Sequence, residues 1–209
     1  MIRHRQAFAR GYQRQMARFI RTYSDDWLRR HRATHAQHVV FGTHRHPYLH
    51  DTMGRLAAGI AQETGEPPSL LDYGCGKGVF MADMARLRLF RFVRGYDPAL
   101  DTYKARPAQP YDVVVCLDVL DQLEDAFVEA AIQDVAQFTG HTAVFSVITV
   151  QTPALAHLNP RSAATWQEII GRHMRVAEAT VRPATAQELA EGACPERVII
   201  LAGPLGAAE

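Results

Sequence analysis

Cysteine is scarce: three residues in 209, at positions 75, 116 and 194, none of them in a Cys-x-x-Cys pair. That excludes a disulfide framework and a zinc ribbon, and reduced thiols in a cytoplasmic protein fit best. No apolar run reaches the length of a membrane span. The arginine-bearing start lacks the apolar segment of a secretory signal. Six histidines lie at 31, 35, 38, 44, 46 and 50, but Asp51 is the sole acid or cysteine close by and no zinc spacing appears, so no metal is expected. No internal repeat is visible.

What is present suits a globular chain. Hydrophobic residues at 47% and charged residues at 22% allow a substantial core. The net charge of +1 hides an asymmetry. Residues 1–32 hold nine arginines against Asp25 and Asp26, a balance of +7 that leaves −6 on the remainder. Phe8, Tyr12, Met16, Phe19, Tyr23 and Trp27 recur every three or four residues, which predicts one amphipathic helix over 5–30. Its arginines fall mainly on another face, either solvated or touching an anionic partner, nucleic acid included.

The chain is organised around residues 70–80, Leu-Leu-Asp-Tyr-Gly-Cys-Gly-Lys-Gly-Val-Phe. Leu70 and Leu71 read as a buried strand, and from Val79 the apolar spacing changes to that of a helix. Strand, glycine turn, helix is the order that makes a ligand site at the carboxyl edge of a parallel sheet, and it predicts that the free N–H groups at the start of the following helix face the ligand. Two phosphate-binding signatures are missing. A dinucleotide fingerprint needs glycine at position 79, which is Val; a P-loop needs Ser or Thr after Gly76-Lys77, which Gly78 replaces. What remains is acid-x-Gly-x-Gly-x-Gly. That form resembles the first motif of the class I S-adenosylmethionine (SAM) methyltransferases.

Later residues extend the resemblance. A second strand over 91–96 ends in Asp97-Pro98, 25 residues after Asp72 and one strand–helix–strand unit on. The resemblance implies that Asp97 accepts hydrogen bonds from a ribose diol, a role compatible with capping the next turn. Residues 98–109 show no strand, although the family usually has one there, and Leu100 and Tyr103 become candidates to pack on adenine. Residues 111–118 (Tyr-Asp-Val-Val-Val-Cys-Leu-Asp) form the clearest strand, apolar on both faces. With Val119, Leu120, Asp121 and Gln122 it resembles the family's fourth motif, Gln122 standing where His is frequent. By resemblance the cofactor-binding residues are Asp72, Tyr73, Gly74, Cys75, Gly76, Gly78, Asp97, Pro98, Leu117, Asp118 and Val119. Residues 41–50 are expected at the mouth of the site, since the segment before the first strand often covers the cofactor in that family.

Further helices are predicted over 51–64, 124–138 and 161–173, and strands over 142–149, 175–181 and 197–201. His157 is the candidate general base, and Trp166 reads as core. The fold expected is an α/β three-layer sandwich with a mostly parallel sheet, antiparallel C-terminal strands and an N-terminal helical extension. The extension is assigned to 1–50 and the methyltransferase domain to 51–209. The resemblance implies a cytoplasmic enzyme that moves a methyl group from SAM to an O or N acceptor, a small molecule first, leaving S-adenosylhomocysteine (SAH). A catalytically silent SAM-binding or partner-binding module and an NAD-dependent oxidoreductase are the other readings. Neither acceptor identity nor oligomeric state is set.

Overall fold

The computed structural model describes residues 19–150, 158–190 and 196–206. Its sheet has six strands: β1 (Ser69–Tyr73), β2 (Phe92–Tyr96), β3 (Tyr111–Leu117), β4 (Thr139–Ile148), β5 (Met174–Pro183) and β6 (Glu196–Pro204). They lie in the order β2-β1-β3-β4-β6-β5. The four strands from β2 to β4 run parallel, and β6 is antiparallel to both β4 and β5. Strand order reverses beside β1, so β1, β2 and β3 end together at a topological switch point, where α/β sheets take their ligands. Residues 98–110 contain no strand, as their sequence suggested.

Six α-helices, α1 (Asp25–Gln37), α2 (His50–Thr64), α3 (Val79–Leu87), α4 (Asp125–Phe138), α5 (Ala163–Gly171) and α6 (Ala186–Ala190), and two short 3₁₀ turns, Pro47–Leu49 and Leu120–Gln122, complete the described chain. Alternating strand residues feed two cores, as the twofold period of a strand requires. On one face Leu70, Val113, Val115 and Val144 pack with Met53, Ile60, Phe80 and Met84 from α2 and α3. On the other, Leu71, Val114, Phe145 and Ile200 pack with Val128, Ile132, Val135 and Ile170 from α4 and α5, joined by Trp27 of α1. The result is the three-layer sandwich. Trp166 is fully buried in the second core.

The N-terminal segment departs from expectation. The helix does not run over 5–30. Residues 1–18 lie outside the described chain, 19–24 are not helical, and α1 starts at Asp25. Ser24 Oγ accepts the Trp27 N–H and Asp25 and Asp26 occupy the first turn, a favourable helix start that outweighs continuation of the aromatic stripe. Ser24 also ties the helix to the domain, since its hydroxyl and N–H donate to the Glu124 carboxylate.

Candidate functional site

A cleft of about 1230 Å³, counting space open to solvent, lies at the carboxyl ends of β1, β2 and β3. Ten of the eleven residues assigned to the cofactor line it: Asp72, Tyr73, Gly74, Cys75, Gly76, Asp97, Pro98, Leu117, Asp118 and Val119. Gly78 does not; a Cβ there would lie 2.7 Å from the Tyr103 hydroxyl, so this glycine makes room for Tyr103. Leu100 and Tyr103 are not in the lining. His157 lies outside the described residues.

The rim is shaped by missing side chains. Gly74, Gly76 and Gly78 all have positive φ, the conformation that glycine adopts most readily. A Cβ on Gly76 would come 2.6 Å from the Gly42 carbonyl oxygen, and one on Gly74 would collide with Val119. The N–H groups of the turn itself are all engaged. Gly74 and Cys75 donate to the Tyr96 carbonyl, Lys77 to Gly42 and Gly78 to Cys75, and Gly76 donates to Asp97 Oδ2 at 3.0 Å. The turn therefore offers a bare surface and no row of donors.

Asp97 is locked into that surface. Its second oxygen accepts the Ala99 N–H at 2.9 Å, the cap of the following turn. Each carboxylate oxygen has two lone pairs, so both can still accept from a diol in the cleft. Asp72 is 3% exposed and its Oδ2 has no hydrogen-bond partner. Burial, reinforced by the Asp97 charge, pushes Asp72 up to about 7. Burial also raises Asp97. Two buried carboxylates over an open cleft suit a cationic ligand. The Tyr73 ring packs edge-on against Tyr96 in the core and its hydroxyl donates to Asp134.

The roof comes from the N-terminal segment. Trp27, His31 and His35 repeat every fourth residue on one face of α1 and line the cleft. The Trp27 and His31 rings stack at 3.7 Å, and His35 meets Phe41 edge-on at 4.7 Å. Lys77 Nζ holds the roof down through the carbonyls of His38 and Val39. Burial lowers His31 to about 4, leaving that ring neutral. Phe41, Gly42, His44 and His46 line the cleft, where the sequence had placed the mouth.

A buried polar cluster stands on the β4–β6 side, and sequence reasoning missed it. Arg197 at the start of β6 pairs with Asp118 at 3.0 and 3.1 Å and donates to Tyr48 Oη at 2.7 Å. Tyr48 also meets Ser146 Oγ at 3.0 Å and His46 Nδ1 at 2.9 Å. Burial would raise the Asp118 carboxyl, but the Arg197 guanidinium outweighs it and the group is lowered. An arginine heading the apolar run Val198–Leu201 was the available signal, since such a charge is buried only when paired.

The glycine turn, Asp72 and Asp97 lie together at the carboxyl ends of a sheet with the class I methyltransferase topology. Residues 41–181 match the methyltransferase-domain family, and the chain belongs to that family. Solved structures agree on the fold. The N-methyltransferase NodS from Bradyrhizobium japonicum WM9, in complex with SAH, has a TM-score of 0.57 at 15% identity, over 87% of this chain and 100% of that one. The 1,6-didemethyltoxoflavin-N1-methyltransferase of Burkholderia thailandensis, with 1,6-didemethyltoxoflavin and SAH bound, gives 0.60 at 13% identity over 91% and 93%. The magnesium protoporphyrin IX methyltransferase of Synechocystis PCC 6803, with bound SAH, gives 0.51 at 17% identity over 73% and 82%. No curated protein matches the chain. No described helix is long and apolar enough to cross a membrane.

Proposed function

We infer that the chain is a SAM-dependent methyltransferase acting on an O or N atom of a small molecule. The observation that carries this is the unpartnered Asp72 Oδ2 beside Asp97 and the bare glycine turn in one cleft. Asp97 is suited to the ribose, Gly74 and Gly76 to close approach of the amino-acid end, and Leu117, Asp118 and Val119 to the floor beneath it. When bound, SAM supplies an electrophilic sulfonium methyl group. The protein's part is then to hold an acceptor in line with that methyl, and positioning of this kind supplies effective molarities of about 10⁵ M or more.

The ring-lined roof of Trp27, His31 and Phe41 favours a small, flat acceptor. The Burkholderia structure holds 1,6-didemethyltoxoflavin together with SAH, and an acceptor of that kind suits this cleft. The test is mass spectrometry of cell extract incubated with the protein and methyl-labelled SAM. A labelled compound below about 1 kDa, absent with an Asp97→Ala control, is the expected result. SAM binding with no labelled product would instead make the chain a silent binding module.

A further inference from the structure

The polar cluster on the β4–β6 side lines the cleft with His46, Asp118 and Arg197. This histidine has φ 49 and ψ 52, a left-handed backbone conformation uncommon outside glycine. Two contacts hold it there: its carbonyl accepts the Leu49 N–H at 2.9 Å, and Nδ1 meets the Tyr48 hydroxyl at 2.9 Å. The residue is 8% exposed. Its Nε2 has no hydrogen-bond partner among the described residues. Strain of this kind persists where the surroundings over-determine a side chain's position.

The direction of the hydrogen bonds sets the tautomer. Asp118, paired with Arg197, only accepts, so Ser146 Oγ donates to it at 3.3 Å. Ser146 then accepts from the Tyr48 O–H, and the Tyr48 oxygen, already accepting from Arg197, accepts a hydrogen bond from the His46 Nδ1–H. Reversing the Tyr48 hydroxyl costs one bond, either Ser146 to Asp118 or Tyr48 to Ser146. The favoured arrangement therefore puts hydrogen on Nδ1 and leaves a lone pair on Nε2.

We propose that His46 is the general base of methyl transfer and that the acceptor is a hydroxyl or N–H group still protonated at neutral pH. This rests on the methyltransferase reading above. The acceptor atom gives its proton to Nε2 and a lone pair to the methyl carbon. The carbon–sulfur bond breaks with its electron pair left on sulfur, and the proton later leaves the imidazolium for solvent. Burial lowers His46 to about 4, so the ring is an uncharged base throughout the neutral range. A weak base suffices, because an O–H or N–H becomes strongly acidic as its heavy atom gains the methyl. The charged and titratable groups facing the ring are Asp118, which favours the imidazolium, and Arg197 and His44, which oppose it. Tyr48 acts through His46 as a positioning residue.

Two measurements test this. The first is nitrogen-15 NMR of the histidine rings in the full chain, the His46 signals being identified by their loss in His46→Asn, a variant that tolerates the left-handed backbone. The Nδ1–H tautomer is expected, switching towards Nε2–H in Tyr48→Phe; an Nε2–H ring in the wild type overturns the proposal. The second is transfer from labelled SAM to phenol and to pentafluorophenol, the latter already anionic at neutral pH. His46→Asn is expected to lose about 10²-fold or more in kcat with phenol and under about threefold with the phenolate. Equal losses overturn the base role, and a wild type that binds SAM yet methylates neither probe overturns the acceptor class. Calorimetry with SAM on the same samples separates this from the underlying reading: a wild type that binds no SAM sinks the methyltransferase assignment itself.

Discussion

The two walls of the cleft are built on opposite plans. The glycine rim is local: Gly74 to Gly78 form one continuous turn directly after Asp72 and Tyr73 of β1, and Asp97 joins it from the end of β2. It works by omission, with backbone where side chains would collide. The β4–β6 wall is assembled from positions 46, 48, 118, 146 and 197, and it works by mutual satisfaction of buried polar groups. A rim of that kind tolerates no added atom, whereas the polar wall tolerates no removed partner.

The largest effect is expected on the polar wall. Arg197 is 7% exposed and Asp118 loses its counter-charge if it is removed. Arg197→Ala should destabilise the fold by about 3–5 kcal/mol, the penalty for stranding a buried charge, read as the urea midpoint. Replacing both partners, Arg197→Met with Asp118→Asn, should recover much of that loss. If the double variant is as unstable as the single one, the wall does not act as a matched set.

The rim comes next. Gly76→Ala places a Cβ against Gly42 at positive φ, a strain of about 1–3 kcal/mol. Its signature differs from that of Arg197→Ala: SAM affinity should fall together with stability, because the turn and the roof segment at Gly42 shift together. Unchanged SAM affinity would detach the rim from the cofactor.

The smallest expected effect is a pH dependence. Without ligand, Asp72 holds its proton up to about 7 because of burial and the Asp97 charge. A bound sulfonium favours the carboxylate, so binding below that pH releases a proton. SAM affinity should then rise with pH, by up to about tenfold per unit, and level off above 7. SAH lacks the sulfonium charge and should show a flatter profile. Calorimetry in buffers of different ionisation enthalpy measures the proton count directly.

Legibility in the sequence followed the same division. Strand β1, the turn, Asp97 and β3 were readable because each signal lies within one element: an apolar run, glycines at alternate positions, an acid one unit later. The missing strand after Asp97 was readable for the same reason. The helix start at Ser24 was not read, because the aromatic period at Tyr23 and Trp27 runs straight through the cap. Where the turn's own N–H groups go was not readable, since only the tertiary contacts to Tyr96, Gly42 and Asp97 engage them. His46 and Arg197, 151 positions apart in the numbering, share Tyr48 as a hydrogen-bond partner, and Arg197 reaches Ser146 through the antiparallel pairing of β4 with β6, which no local pattern announces. His157, the base candidate from the sequence, lies outside the described residues.

Titration calorimetry of SAM into the wild type and Asp97→Ala tests the nucleoside site most directly. One SAM per chain is expected, with affinity weaker by about 1–3 kcal/mol in the variant, as for a lost charged hydrogen bond, and with thermal stability of both proteins reported alongside. Equal affinity in the two, or no binding by the wild type, contradicts the assignment of the rim.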